Sequence, residues 1–172
     1  AVVTHMLEKH GGDTYRDIWQ LGMSLALRIS DLLSLTYADF TGGETITVIE
    51  GKTGKTRIIK LNEKVQTIVK QRQSLNPNDN YLFQSVGNRA KSLLKPITRE
   101  TVARKFAEVG EIIGVHLGTH SMRKTRGYAM WNAGVPLEVI ARVLNHSSPA
   151  VTMRYIGLEQ ADINQTYDDF VL

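Results

Sequence analysis

Apolar residues recur at helical spacing through most of this chain and switch to strict alternation once. Ile18, Leu21, Leu25 and Ile29 lie three and four apart, with Trp19 and Met23 widening the same face. That spacing predicts a helix opened by Asp13 or Thr14, after a shorter one over Thr4–His10 that Gly11–Gly12 closes. Gly22 is tolerable inside the longer helix if another element packs closely against it. Ser30 reads as the cap of a short helix, Asp31–Leu35. Thr45–Glu50 then alternates and is rich in threonine, isoleucine and valine. Arg57–Leu61 follows after the glycine-bearing turn GKTG, so the two runs predict a β-hairpin within a small antiparallel sheet.

Beyond the hairpin the helical period returns. Asn62 caps a helix with Val65, Ile68, Val69 and Leu75 on its inner face, and the turn-rich run Asn76–Asn80 ends it. Tyr81, Leu82 and Phe83 form a short buried extended piece, and Ser85–Lys91 reads as loop. Thr98 caps a helix that buries Val102, Phe106, Val109 and Ile113 and turns Arg99, Arg104 and Lys105 to solvent. Thr119 or Ser121 starts the next, and Gly134 marks its end. Pro136 suits the first turn of a helix burying Val139, Ile140, Val143 and Leu144, and Ser148–Pro149 opens one that runs to about Tyr155. There is no internal repeat and no low-complexity linker. The expected fold class is α+β, mainly α-helical, in a single domain.

Composition changes this picture little, and charge changes it more. With 172 residues, 42 % apolar and 22 % charged, the chain can bury one core. The formal charge is +4, from 21 basic and 17 acidic side chains. Glu159, Asp162, Asp168 and Asp169 fall within Ile156–Leu172, which has no lysine or arginine. Residues 1–155 therefore carry 21 basic against 13 acidic groups, a net of +8. A positive body with an acidic tail suits a polyanionic partner, although many basic domains bind no nucleic acid. The absence of cysteine removes disulfides, thiolate catalysis and cysteine-ligated zinc. No apolar run reaches membrane-spanning length and no signal peptide is recognisable, so a cytoplasmic protein is expected. The chain opens at Ala1 without methionine, as a piece of a longer protein would.

Candidate chemistry concentrates between His120 and Tyr155, where Arg123, Lys124, Arg126, Arg142 and Arg154 face a single acid, Glu138. Arg28 sits among apolar residues in ALRISDLLSL. It is either a helix-edge arginine reaching for water or a guanidinium framed to meet a phosphate. Lys52, Lys55 and Arg57 belong to the hairpin turn, where such residues are most often solvated. GKTGKT lacks the full Walker A pattern and lies between strands, so nucleotide binding is not indicated. No paired carboxylates stand at metal-binding spacing near these positions.

GMSLALRISDLLSL resembles the segment around the first catalytic arginine of the tyrosine recombinases, the phage-integrase superfamily. GKTGKTRIIKL resembles their lysine-bearing hairpin, HSMRKTR their H-x-x-R box, and LNHSSPAVTMRY the box running from the second histidine to the nucleophilic tyrosine. Order and spacing agree across residues 20 to 157. The resemblance implies a catalytic set of Arg28, Lys52, His120, Arg123, His146 and Tyr155, with Lys55 in reserve for Lys52. Lys55, Arg57, Lys124, Arg126, Arg142 and Arg154 are implied contacts to double-stranded DNA. It further implies cleavage through a 3′-phosphotyrosine with neither cofactor nor metal, and tetramers of the full-length protein on DNA. Residues 1–155 would form the core. The tail 156–172 would pack on a neighbouring protomer or fold back in cis, and the amino-terminal core-binding domain would be missing. Two positions depart from the pattern: Lys124 where histidine is frequent, and Asn145 where glycine is usual. Asparagine also accepts positive φ, which preserves the turn. Two rival readings stay open, a type IB topoisomerase-like cycle and a non-catalytic helix-turn-helix over residues 134–155.

Overall fold

The computed structural model describes residues 1–86, 94–158 and 160–171. In chain order the elements are α1 (Val2–Gly11), α2 (Asp13–Leu25), α3 (Ile29–Leu33), a 3₁₀ turn (Tyr37–Phe40), β1 (Thr45–Ile49) and β2 (Thr56–Lys60). Then follow α4 (Glu63–Leu75), α5 (Arg99–Ile113), α6 (Ser121–Asn132), α7 (Leu137–Val143), α8 (Pro149–Ile156) and α9 (Gln160–Asp169). The expected mixed, mainly helical class is the one found. The loop expected over Ser85–Lys91 lies outside the described residues beyond Val86. The chain divides into two compact units, Ala1–Arg123 and Lys124–Leu172. The division falls inside α6.

In the first unit α2 is the central helix, burying Ile18, Trp19, Leu21, Gly22 and Leu25. Fully buried leucine, isoleucine and phenylalanine side chains each stabilise by about 1.5–3 kcal/mol. Leu7, Val65, Leu82, Phe83, Val102 and Phe106 complete the surroundings of that helix. Gly22 has the close neighbour its position demands, because a Cβ there would meet Met122 Sδ at 2.1 Å. The helix begins at Asp13 with Gly12 as its N-cap, and ends where Ala26 takes a left-handed backbone at φ 53°. That bend separates Ile29 from the helix the period assigned it to. Ile29 opens α3, and Arg28, not Ser30, is the N-cap.

The hairpin is a two-stranded antiparallel pair with Thr45 opposite Lys60 and Val48 opposite Arg57. Asn62 Oδ1 accepts from Val65 N and Thr98 Oγ1 from Thr101 N, so both expected caps form. One inner-face assignment on α4 changes. Leu75 is exposed, while Arg72 is buried in the row of Val65, Ile68 and Val69. Its guanidinium meets Asp17 at 3.0 Å and donates to Leu82 O at 2.9 Å.

The second unit packs α7 and α8 around Ile140, Ala141, Leu144 and Thr152. Gly127 on α6 allows this packing, since a Cβ would lie 3.2 Å from both Leu144 and Ile156. Val139, expected inside, is exposed, and Ala141 takes its place in the buried row. Asn145 adopts φ 57°, the conformation that lets it stand where glycine is usual. Every described side chain from 161 to 171 is exposed.

Candidate active site

In the first unit a cleft of about 720 Å³ is lined by Arg28, Ser30, Asp31, Gly51, Lys52, Arg99, Glu100, Thr119 and His120, among others. It brings together three of the expected catalytic residues from distant parts of the chain. Arg28 reaches it from the bend between α2 and α3, Lys52 from the hairpin turn, and His120 from the turn before α6. Lys52 and His120 are exposed. The side chain of Arg28 is 21 % exposed and forms an ion pair with Glu50, whose side chain is 0 % exposed. Arg123 is buried in the first turns of α6.

The hairpin turn is held by its own backbone and by one acid. Glu50 N donates to Lys55 O at 2.9 Å, and Gly54 N donates to Glu50 O at 2.8 Å. Asp31 Oδ1 accepts from Gly51 N at 3.1 Å. Asp31 therefore anchors the turn that presents Lys52 as well as standing in the first turn of α3. Lys55 is exposed in the same turn.

Arg57, expected on the DNA backbone, points inward. Its guanidinium donates to Ala26 O at 2.9 Å and to Leu25 O at 3.4 Å, satisfying carbonyls at the end of α2. Burial lowers its pKa, Glu50 opposes the fall, and the positive charges of Arg123 and Arg28 add to it. Arg28, Arg57, Arg123 and Glu50 thus share one electrostatic neighbourhood.

Sequence reasoning did not anticipate Glu50, nor Arg99 and Glu100 as walls of the cleft. For Glu50 a signal was present. It continues the inward row Ile46–Val48 of β1, where a carboxylate must find a cation. Glu100 has its carboxyl held below the usual range by its own backbone N–H in the first turn of α5 and by Arg99 at 3.2 Å.

In the second unit His146 and Tyr155 meet edge to face, with ring centroids 4.9 Å apart at 73°. His146 Nδ1 shares a 2.9 Å hydrogen bond with Oγ1 of the buried Thr152, which fixes the imidazole plane from inside the unit. Lys124 Nζ lies 5.7 Å from the Tyr155 ring centroid, within cation–π range. Lys124, Arg154 and Tyr155 also line one groove of about 630 Å³. Arg142 is exposed on α7 and Arg126 is half-buried on α6. Among the described residues no group of three or more His, Cys, Asp or Glu could hold a metal ion. No helix among them is long and apolar enough to cross a membrane.

Residues 4–161 match the model of the phage integrase family. The chain belongs to the phage integrase family. It is 36 % identical over 171 residues to a Bacillus subtilis (strain 168) protein, "Probable integrase/recombinase YoeC", covering 98 % of this chain and 90 % of that one. The tyrosine recombinase XerA of Pyrococcus furiosus is 29 % identical over 157 residues, 89 % of this chain and 54 % of XerA. XerC of Rhizobium meliloti is 29 % identical over 146 residues, 83 % of this chain and 45 % of XerC. This integrase-family chain therefore spans about half the length of those two Xer recombinases. Among solved structures, the crystal structure of XerA recombinase shares the fold with a TM-score of 0.69 at 23 % identity, over 97 % of this chain and 62 % of that one. The XerH recombinase bound to its palindromic difH substrate, a post-cleavage complex, has a TM-score of 0.70 at 16 % identity, over 96 % and 49 %.

Proposed function

We propose that this chain is the catalytic domain of a site-specific DNA recombinase, cutting and rejoining strands through a covalent 3′-phosphotyrosine. The observation that carries the reading is the convergence of Arg28, Lys52 and His120 on one cleft. Each brings a different function to phosphodiester chemistry. The Tn1549 transposon integrase, solved in complex with transposon right end DNA, supports DNA as the substrate.

In this mechanism the Tyr155 oxygen attacks the scissile phosphorus and the bond to the 5′ oxygen breaks. A phenol of ordinary pKa, about 10, needs help to lose its proton, and His120 accepts it. Arg28 and Arg123 meet the nonbridging oxygens with planar, permanently charged donor forks. His146 addresses the same oxygens through Nε2, its Nδ1 being engaged by Thr152. Lys52 delivers the proton that the departing 5′ oxygen requires. The phosphotyrosine preserves a phosphodiester, so rejoining to a new 5′ hydroxyl regenerates the tyrosine. Lys55, Lys124, Arg126, Arg142 and Arg154 are placed by the same reading on the DNA backbone.

Self-association on DNA belongs to the proposal and draws its support from α9. Ile163, Tyr167 and Phe170 recur at i, i+4 and i+7 on this helix and its exit, and all three are exposed.

The test lets the protein select its own site. The chain is incubated with nicked duplexes randomised around the nick, and covalent protein–DNA adducts are recovered and sequenced. Wild type should select a defined sequence. Tyr155→Phe should give no adduct, and Arg28→Ala or Arg123→Ala should reduce its formation about 10²–10³-fold. Specific binding without any adduct would instead mark a non-catalytic DNA-binding module. Relaxation of one duplex without joining of two would mark a topoisomerase-like cycle.

A further inference from the structure

We propose that Glu50 is a positioning residue for Arg28, a buried carboxylate that holds the guanidinium at the cleft and couples it to the turn bearing Lys52. Glu50 has this role only if Arg28 binds the scissile phosphate, as proposed above.

Three observations converge on it. Glu50 directly follows β1 and continues its inward row, and its side chain is sealed from solvent while that of Arg28 reaches the cleft. An apolar residue would fill that place at no desolvation cost. A charge held there is stable only with its partner in place. Second, the backbone of Glu50 closes the lysine turn through Lys55 O and Gly54 N. One residue thus fixes the head of Arg28 and the base of the Lys52 loop together. Third, Arg57 on β2 grips the carbonyls of Leu25 and Ala26. The hairpin therefore holds the α2–α3 bend from two sides, by its carbonyls and by the side chain the bend presents.

The electrostatics explain why the positioning group is an acid. Arg28 and Arg123 both disfavour the charge on Arg57, and Glu50 favours it. Without Glu50 these guanidiniums would repel one another before any phosphate arrived. With it, the Arg28 fork is oriented in advance, and orientation supplied in advance need not be found during the reaction. Nη1 is the atom Glu50 holds.

The test is Glu50→Gln, which keeps the shape and removes the charge. Adduct formation is measured on the selected nicked duplex with three scissile linkages: the natural phosphodiester, a neutral methylphosphonate and a 5′-bridging phosphorothiolate. The methylphosphonate lacks the nonbridging charge that a guanidinium compensates, and the thiolate leaving group needs no proton. Glu50→Gln should be slower by about tenfold or more on the phosphodiester and the phosphorothiolate, and close to wild type on the methylphosphonate. Lys52→Ala should recover on the phosphorothiolate instead. A Glu50→Gln deficit that follows the Lys52→Ala pattern, a deficit equal on all three linkages, or no deficit overturns the assignment. Failure of wild type to form an adduct on any linkage refutes the recombinase reading itself. Positioning is then still decided by side-chain NMR of the protein alone. The Arg28 guanidinium should rotate slowly in wild type and average in Glu50→Gln, with the backbone amide spectrum otherwise unchanged. Averaging already in wild type overturns it.

Discussion

Arg72 occupies a core position of α4, where a charged side chain persists only because several groups meet it. Its guanidinium pairs with Asp17, donates to Leu82 O and lies 4.8 Å from the Phe83 ring centroid. It joins α4 to α2 and to the turn at Leu82–Phe83, which stands where the sequence suggests an extended piece. Removing one member of a buried pair strands the other, at about 3–5 kcal/mol. Asp17 keeps a second partner, Arg16 at 3.0 Å, so the lower end applies here. Arg72→Met should lower unfolding stability in urea by about 3 kcal/mol. The double change Asp17→Asn with Arg72→Met should recover a large part of that loss. A single-variant cost below about 1 kcal/mol, the value of an exposed pair, would mean that the network holds nothing in place.

At the scale of elements, legibility in the sequence follows from which period a residue obeys and whether a partner is nearby in the chain. Caps at Asn62 and Thr98 were readable because the donor they satisfy lies three residues on. The apolar faces of α2 and α5 were readable from spacing. At Arg57 and Glu50 charge suggests solvent or DNA, while parity points inward. Strand alternation places both on the inward face, with Ile46, Val48 and Ile59, whatever their charge. Their partners, Ala26 and Arg28, lie across a bend that spacing alone does not show. The same limit hid the close approach at Gly110 of α5, where a Cβ would stand 2.6 Å from Val115 O and 3.0 Å from Leu117 Cβ. A backbone carbonyl cannot step aside as a flexible side chain does. Gly110→Ala would gain up to about 1 kcal/mol of helix propensity and still lose about 1–3 kcal/mol overall by overpacking. Differential scanning calorimetry should show the lower melting temperature. A variant as stable as wild type would show that the segment leading from Val115 toward His120 has room to move.

At the scale of the whole molecule, charge and apolar surface are distributed to opposite purposes. Arg28, Lys52 and Arg99 outnumber Asp31 and Glu100 in the cleft of the first unit, and Lys124 and Arg154 line the tyrosine groove of the second, while the chain beyond Tyr155 has acids and an exposed apolar stripe. Ile163, Tyr167 and Phe170 are too apolar for a helix end that serves only solubility, and the proposed mechanism gives none of them a part. If they join one copy of the chain to another on DNA, chemistry and assembly should separate. Replacing all three with serine should leave adduct formation at a single nicked site within about threefold of wild type, as surface changes away from a site do. Joining of two duplexes should fall by at least about tenfold, the effect of losing little more than 1.4 kcal/mol at an interface. Sedimentation of the protein with duplex DNA should show the matching loss of species holding more than one protein copy. Equal losses in cleavage and joining would instead tie α9 to the cleaving unit itself, and unchanged joining would leave the stripe without a part in assembly.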